Sequence, residues 1–231
     1  MDFTKIVKGG ITVNFSVAID GPAGAGKSTI AKLVSKEFNL MYINTGAMYR
    51  AVALKAKENN LAPSDIEKIC DLIGTMKMEF KEDDLILNGE NVQDKITVPE
   101  ISSIVSEYAK IKEVRQMLVK LQREMSKKFN VIMDGRDIGT VVLKDAPFKF
   151  FLTATAEERA NRRFLELKGR DIPCDYDKIL SDIIERDYKD SHRETDPLRK
   201  ADDAIEIDTT GLNIKEVTEK INSYIRNVIK N

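Results

Sequence analysis

Histidine is almost missing from this chain, with His192 the only one in 231 residues. Cysteine is nearly as scarce, and Cys70 and Cys174 stand far apart in no metal-ligand spacing. A histidine-based triad, a zinc site and a disulfide framework therefore have little to build on. No apolar run approaches the roughly 20 residues of a membrane span, and the first residues lack the apolar segment of a signal peptide. The expectation is a reduced, cytoplasmic protein with no membrane partner. Net charge is lacking too. The 37 basic and 38 acidic residues nearly cancel, so no global field favours nucleic acid or anionic lipid, and no nucleic-acid partner is expected. Any positive charge that matters must be local.

Against these absences stands one uninterrupted motif. Gly21-Pro22-Ala23-Gly24-Ala25-Gly26-Lys27-Ser28 reads G-x-x-x-x-G-K-S and is followed by Thr29. The stretch before it, Val13 to Asp20, is apolar and β-branched enough for a strand. After it, Ile30, Ala31, Leu33, Val34 and Phe38 recur at helical spacing. The strand–loop–helix context separates a phosphate-binding loop from a chance glycine-rich turn. Glycines let phosphate oxygens approach successive backbone N–H groups, and the helix N-terminus adds its positive dipole end. Lys27 supplies a cation for the β- and γ-phosphates of ATP, and the Ser28 hydroxyl is placed to ligate Mg²⁺.

A chain of 231 residues is long enough for one sizeable core plus an insert and too short for two full α/β domains. Strand candidates at 13–19, 41–43, 131–133, 148–152 and 204–207 alternate with helical segments. This predicts a single α/β domain of the P-loop NTPase type, a doubly wound five-stranded parallel sheet flanked by helices, with its core at about 11–62 and 97–231. Residues 63–96 break the alternation. Ser64-x-x-Glu67 starts a short helix and Asn88-Gly89 is a hairpin turn, so this segment is predicted to be a small α+β insert. A charged helical stretch over about 100–127 leads back to the sheet. Residues 159–178 are predicted to form a short lid, whose tip at 168–177 holds Gly169 and Pro173. Asn213 and Glu216 open a last helix with Ile214, Val217, Ile221, Tyr224, Ile225 and Val228 on one stripe. The first ten or so residues are expected to be a frayed start.

A phosphate-binding loop alone does not separate kinases, GTPases and motor or regulatory ATPases. The Asn-Lys-x-Asp motif of GTPases is missing. Arginines instead follow two predicted strands, as Arg50 in Asn44-Thr45-Gly46-Ala47-Met48-Tyr49-Arg50 and Arg136 in Asp134-Gly135-Arg136-Asp137-Ile138-Gly139-Thr140. Both belong at the carboxyl edge of the sheet, where α/β proteins bind ligands. Arg186, Asp190 and Arg193 are spaced to share one helix face. They read either as a surface ladder of ion pairs or as a site that grips a phosphate and a sugar hydroxyl.

Taken together, Gly21 to Thr29, Asn44 to Arg50, Asp134 to Thr140 and Arg186 to Arg193 resemble the signature blocks of bacterial cytidylate kinases, and the similarity runs from about residue 16 to the C-terminus. Residues 63–96 match the enlarged monophosphate-binding insert of that family. The resemblance implies ATP as donor, Mg²⁺ as its metal, and CMP or dCMP as acceptor. It implies that Gly21 to Thr29 bind ATP, and that Arg162 and Arg163, with Arg170, belong to a lid over it. Arg50, Arg136 and Arg193 would bind the acceptor phosphate, with Thr45 beside them. Ser106, Arg115 and Asp137 would recognise the cytosine edge, and Arg186 with Asp190 the sugar. Lys27, Arg136 and Arg193 would be the catalytic cations, and Ser28 and Asp134 would hold the metal, Asp134 through water. Asp134 reads equally as a cap on its strand end, and Arg162, Arg163 and Arg170 as solvated charges. Asn44 replaces the family's usual Asp, Lys144 a usual proline, and Asp196 a commonly small residue.

The sequence leaves open another small-molecule kinase acting on UMP, AMP or a different acceptor, and a non-transferring ATPase or binding module. It also leaves open ribose against deoxyribose. A monomer is the default expectation.

Overall fold

A computed structural model describes residues 6–8, 11–13 and 15–230. Much of the expected frayed start lies outside the described residues, but Ile6–Lys8 (β1) and Ile11–Val13 (β2) pair antiparallel, with Ile6 opposite Val13. Val13 therefore belongs to this ribbon, and the first strand of the main sheet begins later than predicted, as Ser16–Asp20 (β3).

From β3 the chain enters Lys27–Phe38 (α1), Met41–Asn44 (β4) and Thr45–Glu58 (α2). The insert follows as Ile66–Thr75 (α3), a three-stranded sheet of Met78–Lys81 (β5), Asp84–Leu87 (β6) and Glu90–Asn91 (β7), and Gln93–Ile96 (α4). Asn88 and Gly89 both take positive φ, 52° and 86°, and turn β6 into β7 as the Asn-Gly pair predicts. The α3 helix starts at Ile66, later than Ser64 suggested, with Asp65 in the cap position. The Asp65 carboxylate accepts from the Ala62 N–H at 2.8 Å rather than from its own helix.

The predicted 100–127 helix is two helices, Pro99–Ala109 (α5) and Lys112–Lys128 (α6). Ile111 breaks it by taking an extended backbone, φ −69° and ψ 120°, which sends its side chain into the core. The remaining elements are Val131–Gly135 (β8), a π-helical turn at Ile138–Val142, Phe148–Thr153 (β9), Ala156–Lys168 (α7), Tyr176–His192 (α8), Ile205–Asp208 (β10) and Ile214–Lys230 (α9).

All five predicted strands join one parallel sheet in the order β10-β9-β3-β8-β4. Because strand side chains alternate, the sheet feeds two cores. Val17, Ile19, Tyr42 and Ile132 pack with Ile30, Val34 and Phe38 of α1 and with Val217, Ile221 and Ile225 of α9. Ala18, Ile43 and Met133 face α2, α5, α6 and the insert, whose Ile69, Leu85 and Leu87 are fully enclosed in the same cluster. The α9 start carries the reciprocal cap, Glu216 N–H to Asn213 Oδ1 at 3.0 Å and Asn213 N–H to Glu216 Oε2 at 2.8 Å. Ile214, Tyr224 and Val228, predicted for its buried stripe, are instead exposed along the flank.

β3 lies between β8 and β9, so the segments leaving β3, β4 and β8 emerge together at the carboxyl edge. Gly21, immediately after β3, has φ 143°, and a Cβ there would sit 1.9 Å from the Leu152 carbonyl oxygen of β9. Gly89 has positive φ but open space around it. In urea unfolding, Gly89→Ala should therefore cost about 1–2 kcal/mol, the left-handed penalty alone. Gly21→Ala should cost about 3 kcal/mol or more, because backbone must move. Equal losses would contradict this packing at the start of the loop.

Candidate active site

The 21–28 loop closes on itself and on β8. Lys27 is buried and its ammonium donates to the Pro22 carbonyl at 2.7 Å. Burial pushes its pKa well below the usual lysine range, and nearby Arg136 pushes it the same way. The Ser28 hydroxyl donates to Asp134 Oδ2 at 2.8 Å, and the buried Tyr42 hydroxyl donates to Oδ1 at 2.9 Å. The Asp134 carbonyl accepts from Thr45 Oγ1 at 2.7 Å. Thr45 thus caps the strand end, while the Asp134 carboxylate is presented to Ser28. Thr29 is exposed.

Asp20, the last residue of β3, accepts from the Ile138 and Gly139 N–H groups at 2.8 and 2.7 Å. Burial raises its pKa to about 7, and the two backbone bonds oppose that rise. This tie fixes the π-helical turn against the phosphate loop. Asn44 caps α2, its Oδ1 accepting from the Ala47 N–H at 2.9 Å. That role needs a side-chain oxygen and no charge, so the Asn at this departure serves it.

Beyond Lys27 lie Arg50, Arg136, Arg186 and Asp190. Arg136 donates to Asp190 Oδ2 at 2.7 Å, and Asp190 is held below the ordinary carboxylate range because Arg136 and Arg186 outweigh the opposing effect of burial. Burial lowers the pKa of Arg50 and brings that of Arg186 down to about 10, with Arg136 adding to the latter. The Nε atoms of Arg50 and Arg186 are buried and have no hydrogen-bond partner among the described residues. Unpaired guanidinium N–H groups of this kind suit a phosphate, whose oxygens accept in the plane of the fork.

The second cluster centres on Arg115, which is 1% exposed. It is paired with Asp137 through Nη2, donates to Asp196 Oδ2 through Nε at 3.1 Å and to the Ala109 carbonyl through Nη1 at 3.1 Å, and lies 5.6 Å above the Tyr49 ring. Arg193 approaches Asp137 Oδ1 at 3.6 Å and donates to the Asp196 carbonyl at 2.7 Å.

Most of the predicted residues therefore converge, but not all as expected. α8 ends at His192, and Arg193 has extended backbone, φ −64° and ψ 142°, so it does not share the helix face of Arg186 and Asp190. Ser106 is half-buried on α5, and its hydroxyl has no hydrogen bond to Arg115 or Asp137 among the described residues. Arg162 bonds the Thr209 hydroxyl and carbonyl at 3.0 and 2.6 Å, and Arg163 pairs with Glu166 at 2.8 Å on the surface. Arg170 is exposed, 3.9 Å from Glu166.

Sequence reasoning passed over Arg159. It is 4% exposed, donates to the Ala23 carbonyl at 3.0 Å, and pairs with Asp187 of α8 at 2.6 Å. Its place one turn before the noted Arg162 and Arg163 was the available signal. Tyr42, Asp20 and Asp196 were also missed as parts of the site, although Asp196 stood out as a departure.

The donor set fits the two ligands expected. A loop of backbone N–H groups with a buried lysine suits nucleotide phosphates, and a serine hydroxyl beside a carboxylate suits a hard divalent cation. Among the described residues no cluster of three or more metal-ligating side chains occurs, and a cation bound mainly through substrate phosphate and water needs none.

Comparisons with known proteins give the family. A family model described as cytidylate kinase matches residues 17–227. A cytidylate kinase of Clostridium perfringens is 65% identical over 210 residues, 91% of this chain and 97% of that protein. One from Clostridium acetobutylicum is 59% identical over 213 residues, 92% of this chain and 98% of the relative. An uncharacterized protein from Eubacterium ventriosum shares the fold, at a TM-score of 0.52 and 14% identity, covering 92% of this chain and 99% of that one. From the loop, the arginine clusters and relatives at this identity, it follows that the chain belongs to the cytidylate kinase family.

Proposed function

We propose that this protein transfers the γ-phosphoryl group of ATP to the phosphate of CMP or dCMP, giving CDP or dCDP and ADP. The observation that carries the reading is the pair of buried Nε atoms on Arg50 and Arg186, unpartnered among the described residues, near Arg136, whose sequence neighbour Asp137 belongs to the Arg115 cluster. The first group suits a phosphate and the second a base edge. A carboxylate such as Asp137 can accept the exocyclic amine of cytosine, which uracil lacks, while Arg115 donors meet the ring nitrogen and carbonyl. Asp190 would hold the sugar, with Arg186 between sugar and phosphate.

The acceptor is already an anion, so the chain need not supply a strong base. Its contribution is to hold two polyanions in line and to offset charge on the transferring group with Lys27, Arg136 and Arg193. Ser28, with Asp134 through water, would hold Mg²⁺, which neutralises donor phosphate charge when bound. The insert at 63–96 and a lid at 159–178 carrying Arg162, Arg163 and Arg170 would close over the substrates and exclude water. The reading includes a monomer in a reducing cytoplasm, in keeping with two free thiols at Cys70 and Cys174.

The first test is ADP formation from Mg-ATP with CMP, dCMP, UMP, AMP or no acceptor. CMP and dCMP should accelerate it well above UMP and AMP and yield the diphosphates. Slow release indifferent to every acceptor would mean an ATPase instead. Lys27→Ala should lower kcat about a hundredfold or more while the fold, followed by circular dichroism, persists. Asp137→Asn should reduce the preference for CMP over UMP by about tenfold or more, with ATP binding retained. Equal losses on both acceptors would remove Asp137 from base recognition.

A further inference from the structure

Asp196 hydrogen-bonds both Arg115 and Arg193, the two arginines that also face Asp137. Its carboxylate accepts from Arg115 Nε on α6 at 3.1 Å, and its carbonyl accepts from Arg193 Nε, just past α8, at 2.7 Å. The backbone there is left-handed, φ 50°, a conformation that an aspartate tolerates better than most side chains. That conformation lets the carbonyl and the carboxylate of one residue serve two different guanidinium groups.

The consequence for Arg115 is complete fixation. Nε is held by Asp196, Nη1 by the Ala109 carbonyl and Nη2 by Asp137, with the Tyr49 ring against the plane. The charges also balance, since buried Arg115 and half-buried Arg193 face two carboxylates. Were Asp196 neutral, Asp137 alone would face both cations, and an under-compensated buried charge is costly. We propose that Asp196 is a specificity-positioning residue, which sets the orientation of Arg115 and shares its charge so that Asp137 is presented correctly to the acceptor base. The inference rests on the acceptor reading given above.

Two variants isolate the side chain from the backbone. Asp196→Gly keeps the left-handed turn and the carbonyl bond to Arg193 while deleting the carboxylate. Asp196→Asn keeps the turn and an acceptor oxygen without the charge. For each, KM and kcat are measured with CMP and with UMP, KM for ATP is measured at saturating CMP, and CMP binding is titrated calorimetrically without ATP. In Asp196→Gly the CMP-over-UMP ratio of kcat/KM should fall about tenfold through KM for CMP. KM for ATP should stay within about twofold, since the carboxylate touches no part of the phosphate loop. Asp196→Asn should recover part of the loss. A merely structural role would lower melting temperature or kcat for both acceptors alike and leave the ratio unmoved. If the wild type prefers CMP and the ratio is unchanged in Asp196→Gly, the inference falls by itself. If the wild type shows no preference for CMP, the acceptor reading falls, and this inference with it.

Discussion

Everything at the carboxyl edge of the sheet is organised by an excess of buried positive charge. Burial depresses the proton affinity of Lys27, Arg50 and Arg186, and the neighbouring charge of Arg136 depresses all three further. Desolvated cations in mutual proximity oppose folding unless something offsets them. The chain offsets them in part: Asp190 takes Arg136, and Asp134 lies near Lys27 while its oxygens accept from Ser28 and Tyr42. The rest is left to a ligand. A polyanion that binds only the folded chain would relieve this repulsion and stabilise the fold by mass action. Stability and function thus oppose each other at this edge and act together once phosphate is bound.

Such a cluster keeps its geometry only if the segments bearing it cannot relax apart. The parallel sheet supplies the coarse constraint, since β3, β8 and β4 all end at the same edge. Polar ties supply the fine one. Asp20 clamps two N–H groups of the π-helical turn, and Thr45 caps the Asp134 carbonyl. Gly135 sits where a Cβ would come within 2.6 Å of Ile138 and 2.8 Å of the Thr45 hydroxyl. Loops that would otherwise sample many conformations are therefore anchored by backbone as much as by side chain, with the two cores on either side of the sheet holding the strands beneath them.

How much of this was legible depends on how local the deciding interaction is. The five strands, the Asn88-Gly89 turn and the Asn213–Glu216 cap each rest on residues a few positions apart, and each is found close to where it was read, the first strand starting at Ser16 rather than Val13. The break at Ile111 carries no glycine or proline. It is an apolar residue within an apolar period, turned inward by the tertiary core, so no local signal existed. Arg193 leaving its helix has the same origin, because its partners Asp137 and Asp196 are fixed by other elements. In the site, the contiguous 21–28 loop was plain. Tyr42 meets Asp134 across 92 residues and Arg159 meets Ala23 across 136, separations at which spacing carries no information.

The Arg159 contact bears on how the two halves of the site relate. One guanidinium binds the Ala23 carbonyl of the phosphate loop and the carboxylate of Asp187, the residue next to Arg186 on α8. Surface pairs such as Arg163–Glu166 contribute little and can open without consequence. A buried arginine cannot, because losing one partner strands its charge. The loop and the arginine-bearing helix are therefore mechanically joined in this arrangement. Asp187 nevertheless has a buried Oδ1 with no partner among the described residues. A carboxylate oxygen left unsatisfied raises the free energy of the join. The loop is thus held from the sheet side by Asp134 and from the helix side by Arg159.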